Sequence, residues 1–266
     1  MTTHRHVAAQ LSFGVTEPTS FVLAIAVARG IPVGFESVSL LLDGTELTRS
    51  DLEDHHGTRM HVFDADAGIL SISYAAEVIG RGPAAEVDPA DIIRYLRPSR
   101  YVQSDTLTPF ARERFAGLGD REAVLAVAEW VSSELRYDPA ASVPTGGALE
   151  TLEAGAGVCR DYAHVTAALL RALDIPARLV SVYAPQLAPM DFHAVVEALI
   201  EDRWVVVDST RLAPRHGMVR IATGRDATDT AFETNTRADV TLLTIGVQVS
   251  SDEAFVEDPE EFVELG

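Results

Sequence analysis

The chain has 266 residues and a formal charge of −19, with 40 acidic side chains against 21 basic ones, every one of them arginine. Hydrophobic residues make up 47%, enough for a sizeable core in one large domain or two modest ones, so disorder is not the default reading. So acidic a chain repels nucleic acid and anionic membrane, no apolar run is long enough to span a bilayer, and no charged segment followed by an apolar one marks a signal at the start.

The expectation from these features is a cytoplasmic protein with no nucleic-acid and no membrane partner. Its oligomeric state stays open. The lone cysteine, Cys159, excludes an intramolecular disulfide and a Cys-rich zinc site. It has two readings, an inert core thiol or a reactive one.

In chain order, residues 1–98 read as a β-rich N-terminal domain. Residues 21–28 form a short apolar run that ends at Arg29-Gly-Ile-Pro32. Residues 38–42 lead into Asp43-Gly44, a tight-turn signal. Leu70, Ile72, Tyr74, Ala76 and Val78 alternate with more polar residues, the mark of a strand with one face more buried. Short strands with turns between them suggest a small sandwich or barrel.

A Pro-bearing connection over 83–98 carries a short helical stretch near Asp91. From Asp120, a plausible N-cap, the period is helical, with Val124, Val127, Val131 and Leu135 on one face. A loop over 139–147 follows, then a second helix over about 157–173 that Asp174-Ile-Pro176 ends. Residues 177–183 read as a strand. Residues 192–200 and 203–208 read as a hairpin turning at Glu201-Asp202. Residues 240–249 read as a further strand, and 251–266 as an acidic tail, solvated or a peripheral helix.

The chemistry concentrates around Cys159. Two glycines, Gly155 and Gly157, precede it and an amphipathic helix follows. That places the thiol in a first helical turn, where free N–H groups and the macrodipole favour a thiolate. Gly157 leaves room for a carbonyl to approach the sulfur, and the Cys159 N–H can serve as an oxyanion donor. Asp161 opposes the thiolate, and Arg160 can offset it. A base for such a thiol is a histidine. His164 lies five residues along the same helix and so points well off the Cys159 face; it reads as core. His55 and His56 read as exposed loop. His193 differs, because a two-residue turn at Glu201-Asp202 would pair Val195 with Asp208 and leave His193 and Asp208 on one face, as diagonal neighbours. A slip of one residue would separate them.

Together the segments Gly157-Val-Cys-Arg-Asp-Tyr-Ala-His164, Asp191-Phe-His-Ala-Val-Val-Glu197 and Arg203-Trp-Val-Val-Val-Asp-Ser-Thr210 resemble bacterial transglutaminase-like proteins of the papain-like cysteine protease superfamily. The resemblance covers residues 100 to 248. It implies an α+β catalytic domain over 99–250, with a nucleophile helix packed on an antiparallel β-sheet. It also implies Cys159 as nucleophile, His193 as base and Asp208 as the orienting acid. Tyr137 is a candidate for lining the site or donating to an oxyanion. Trp204 reads as packing, and Asp226 as surface loop more than cleft border.

The expected activity is amide hydrolysis through an acyl-enzyme at Cys159, with a peptide or protein amide as substrate. Transamidation of protein glutamine, or a scaffold that keeps the fold, are the alternatives. With no His-Glu-x-x-His and no second ligand cluster in the sequence, neither a metal nor a cofactor is expected.

Overall fold

The computed structural model describes residues 2–266. The first third is all strand: β1 (His4–Val15), β2 (Thr19–Leu23), β3 (Val33–Leu42), β4 (Thr45–Glu46), β5 (Ser50–Glu53), β6 (Arg59–Ala65) and β7 (Gly68–Ile79). Along β7 the side chains of Leu70, Ile72, Tyr74, Ala76 and Val78 are buried, as their alternation predicts. Asp43 and Gly44 adopt φ of 48° and 83°. Two successive positive φ values make a turn whose twist matches the flanking strands.

Helices then alternate with strands: α1 (Pro89–Arg94), α2 (Ser104–Arg114), α3 (Asp120–Glu134), β8 (Arg136–Tyr137), α4 (Ala148–Ala154), β9 (Ala156–Gly157) and α5 (Cys159–Ala172). The chain continues through β10 (Ala177–Tyr183), β11 (His193–Ile200), β12 (Arg203–Val207), β13 (Val219–Gly224), α6 (Ala227–Thr230), β14 (Glu233–Thr236) and β15 (Val240–Ser251). Gly119 is the cap of α3 and Asp120 its first residue; the Glu122 carboxylate accepts the Gly119 N–H at 2.8 Å. Helix α2 went unread in the sequence because Pro109 interrupts it and few of its side chains, among them Leu107 and Ala111, are buried.

Two sheets make the β-rich layer, in the orders β15-β1-β7-β3-β4 and β14-β2-β6-β5. The sandwich reading is the right one of the two. A third sheet, β12-β11-β10-β13, is antiparallel throughout. One of its faces carries α5, of which every residue from Asp161 to Ala172 is buried. Its other face shares an apolar cluster with the sandwich, through Tyr183, Val219 and Ile221. Helix, sheet and sandwich thus stack as successive layers.

Inside the third sheet Glu197 is fully buried and accepts from Arg178 at 2.8 Å and Arg220 at 2.6 Å. Burial pushes the Glu197 carboxyl up, but the two guanidiniums outweigh burial and hold it below the usual range. The ion pairs cross three adjacent strands and disfavour any other register.

Two expectations need correction. The strand at 240–251 pairs with β1 along its length, and 233–236 pairs with β2. The segment expected to finish the catalytic layer therefore closes the sandwich, where β1 and β2 offered open edges. The acidic end is neither a free tail nor a helix: Val263 and Leu265 are buried, and the Val206 N–H donates to the Val263 carbonyl at 2.7 Å.

Leu169 is fully buried at the centre of the helical core. Leu169→Ala should lower the unfolding free energy by about 2–5 kcal/mol, read as an earlier denaturant midpoint. An unchanged midpoint would contradict the packing of α5 described above.

Candidate active site

The start of α5 is built by the residues around Cys159. The Asp161 carboxylate accepts the Val158 N–H at 2.9 Å and so caps the helix. A side chain at residue 157 would place its Cβ 2.6 Å from the Asp161 Cβ. Gly157 thus leaves the cap its space, and it is itself buried. Arg160 pairs with Asp161 at 3.0 Å and donates to the Ser142 hydroxyl and the Val143 carbonyl, both at 2.9 Å. The charge of Asp161 is compensated, and the loop before α4 is tied to the thiol.

The short parallel pair β8–β9 sets Tyr137 opposite Gly157. Cys159 is a neighbour of the Tyr137 side chain. Burial and the neighbouring Cys159 raise the phenol to about 12, against a lowering from the Cys159 backbone N–H.

On the sheet, β11 and β12 pair Ile200 with Arg203 and Val196 with Val207. This is the register that the turn at Glu201-Asp202 implies, with Glu201 and Asp202 at φ of 51° and 58°. Its continuation makes His193 and Asp208 diagonal neighbours. The His193 Nε2 lies 2.8 Å from the Asp208 Oδ2, with His193 only 1% exposed. The other Asp208 oxygen accepts the Thr210 N–H at 2.9 Å and the Thr210 hydroxyl at 2.7 Å. Nε2 is thus committed to Asp208, and the Cys159 side chain shares the cavity wall with the imidazole and helps to raise it. The Cys159 sulfur is half-buried and lies 4.0 Å from the Phe192 carbonyl.

Burial works to lower His193, but the charge and hydrogen bond of Asp208, helped by Cys159, leave it raised above its ordinary value. Asp208 is lowered: burial opposes this, and His193 and Thr210 prevail.

Other titratable groups have other duties. His164 is fully buried, stacks on Tyr101 at 5.2 Å and accepts the Ala227 N–H at 3.2 Å. Burial lowers it to about 3, so it is a neutral core residue, as its helical position implies. Trp204 packs against Arg178 at 3.9 Å, as expected. Asp226 is not on a surface loop. It is fully buried, caps α6 through the Thr228 N–H at 2.9 Å, and accepts the Tyr101 N–H at 3.1 Å. His55 and His56 come together with Asp91, all three within 4.8 Å in their ligand-type atoms. Those atoms are already engaged, His55 by Arg94 at 2.7 Å and His56 by the Tyr95 hydroxyl at 2.6 Å.

Cys159 and His193 open on a cavity of about 720 Å³. Its wall includes Phe192, Phe232, Ser181, Asp191 and Glu233. Burial raises Asp191 above its ordinary value and Glu233 to about 7. No sequence pattern marked Glu233, because its strand comes back from the far end of the chain to join β2.

Residues 111–209 match the transglutaminase-like superfamily, a span that contains Cys159, His193 and Asp208. A crystal structure from Cytophaga hutchinsonii, of a candidate cysteine protease, superposes with a TM-score of 0.86 at 31% identity, over 100% of this chain and 94% of that one. An uncharacterised protein of Mycobacterium leprae is 30% identical over 201 residues, 71% of each chain. The chain belongs to the transglutaminase-like superfamily. As in the expectation for that superfamily, a helix carrying the cysteine packs on the antiparallel sheet carrying the histidine. No described helix of this transglutaminase-like protein is long and apolar enough to cross a membrane.

The shifts of the buried pair set a pH window. A raised His193 contributes stability that is complete below about pH 6.5 and is lost as pH rises through its raised value. A lowered Asp208 contributes stability that is present above about pH 3.9 and is lost as pH falls through its lowered value. Nitrogen NMR of the ring should find His193 still protonated at pH 7, and Asp208→Asn should bring its titration down. A ring already neutral at pH 7 in the unaltered protein would contradict the pairing.

Proposed function

We propose that the protein is a cysteine-dependent amide hydrolase acting on peptide or protein substrates through an acyl-enzyme at Cys159. The observation that carries this reading is the order of three groups: a half-buried thiol and an imidazole on one cavity wall, and behind them a carboxylate 2.8 Å from the imidazole Nε2. A scaffold has no need of a buried imidazole with a charged partner on one side and a thiol on the other.

In this mechanism the Cys159 proton already rests on His193, which Asp208 keeps protonated near neutral pH, and the sulfur attacks the amide carbon. Asp208 holds the ring orientation and stabilises the imidazolium. The negative oxygen of the tetrahedral intermediate takes hydrogen bonds from the Cys159 N–H and the Tyr137 hydroxyl. A phenol raised to about 12 keeps its proton near neutral pH and can donate it. His193 then protonates the leaving nitrogen, the C–N bond breaks, and the amine departs. Water, deprotonated by His193, cleaves the thioester and releases the acid. Hydrolysis is preferred to transamidation because the 31% identical Cytophaga protein is a candidate cysteine protease.

Alkylation of the thiol by iodoacetamide tests the first step. His193→Ala should slow it at pH 7, and Cys159→Ala should abolish it. Turnover of a peptide amide should fall by about 10²–10⁴ in His193→Ala and by about 10² in Tyr137→Phe. Transfer of labelled cadaverine to a glutamine peptide, with no release of acid, would replace hydrolysis by transamidation. Equal alkylation rates with and without His193 would sink the catalytic reading altogether.

A further inference from the structure

The cavity beside Cys159 holds two buried polar atoms without a partner, the Glu233 Oε1 and the Ser181 hydroxyl. A native interior pairs nearly all such atoms, and an unpaired carboxylate oxygen is the most costly kind to leave alone. Among the described residues no arginine meets Glu233, although the chain places arginines on Glu197 and on Glu36.

The charges on the cavity wall are unbalanced. Arg160 is already paired with Asp161, and His193 with Asp208. That leaves Asp191 and Glu233 as acids with no basic side chain of their own. Apolar surface lies alongside: Phe192 and Phe232 stack at 5.3 Å, and Leu242 and Ile245 extend the wall. An apolar channel with an unpaired carboxylate suits a long aliphatic stem that ends in a cation.

We propose that Glu233 is the specificity-determining residue of this site and selects substrates that carry an arginine or lysine side chain near the scissile amide. This rests on the hydrolase reading of the same cavity. The stem lies against Phe192 and Phe232, the cationic head meets the Glu233 carboxylate, and the Ser181 hydroxyl takes a further N–H. The ion pair forms in a desolvated pocket, where a missing partner is expensive for either side.

Binding can be measured apart from chemistry. Full-length Cys159→Ala protein is titrated, at 150 mM salt, with dye-labelled hexapeptides in matched pairs, arginine against citrulline and lysine against norleucine, scanned through each position. Fluorescence anisotropy should give a Kd lower by about tenfold or more for the basic member at one position. Glu233→Gln, of the same shape, should bring that ratio close to one. Equal affinity within the pairs, no binding of any peptide, or a ratio that survives Glu233→Gln would overturn the proposal, and the first two outcomes need no Glu233 variant to fold. Discrimination in binding, with no turnover by the unaltered protein, would instead remove the hydrolase reading and leave Glu233's role intact. Turnover without discrimination would do the reverse.

Discussion

A histidine buried to 1% exposure is held by one carboxylate 2.8 Å away, and the site depends on that contact. Burial alone would strip the proton from the ring and leave its orientation free. Asp208 reverses the first effect through its charge and prevents the second by engaging Nε2. What remains is an imidazole with its other nitrogen uncommitted, on the same cavity wall as a thiol. Thr210 in turn fixes the carboxylate through its N–H and its hydroxyl.

The site around that contact rests on three independent pieces of backbone. The turn at Glu201-Asp202 sets the register of β11 and β12. The Asp161 cap, with Gly157 leaving it space, sets where α5 begins. The β8–β9 pair brings Tyr137 to the same point. Behind them, the burial of α5 on one face of the sheet and the sandwich on the other leaves little freedom for any of these parts to move separately.

Much of this was legible in the chain, for local reasons. A two-residue turn and a period of two determine which side chains share a face, so His193 and Asp208 could be placed together from spacing. Gly155, Gly157 and an amphipathic run were enough to place Cys159 at a helix start. His164 could be set aside by helical angle alone. Other features were not local. The destination of β14 and β15 depends on which sheet edges are open, and that is a property of the assembled sandwich. Asp226 was misread because its burial and its bond to the Tyr101 N–H come from a distant part of the chain. Gly157 has a further reason that spacing did not show, since the Asp161 side chain four residues further on needs its space. Glu233 had no signal, as its neighbours come from opposite ends of the sequence.

The central claim is that Cys159 forms a covalent acyl intermediate with His193 as its partner. Intact-protein and peptide mass spectrometry after rapid quenching with an activated peptide ester tests it most directly. The account predicts one acyl group per chain, confined to the peptide that carries Cys159, released by hydroxylamine and greatly reduced in His193→Ala. Acylation at another residue, or an adduct at Cys159 that forms equally well without His193, would contradict it.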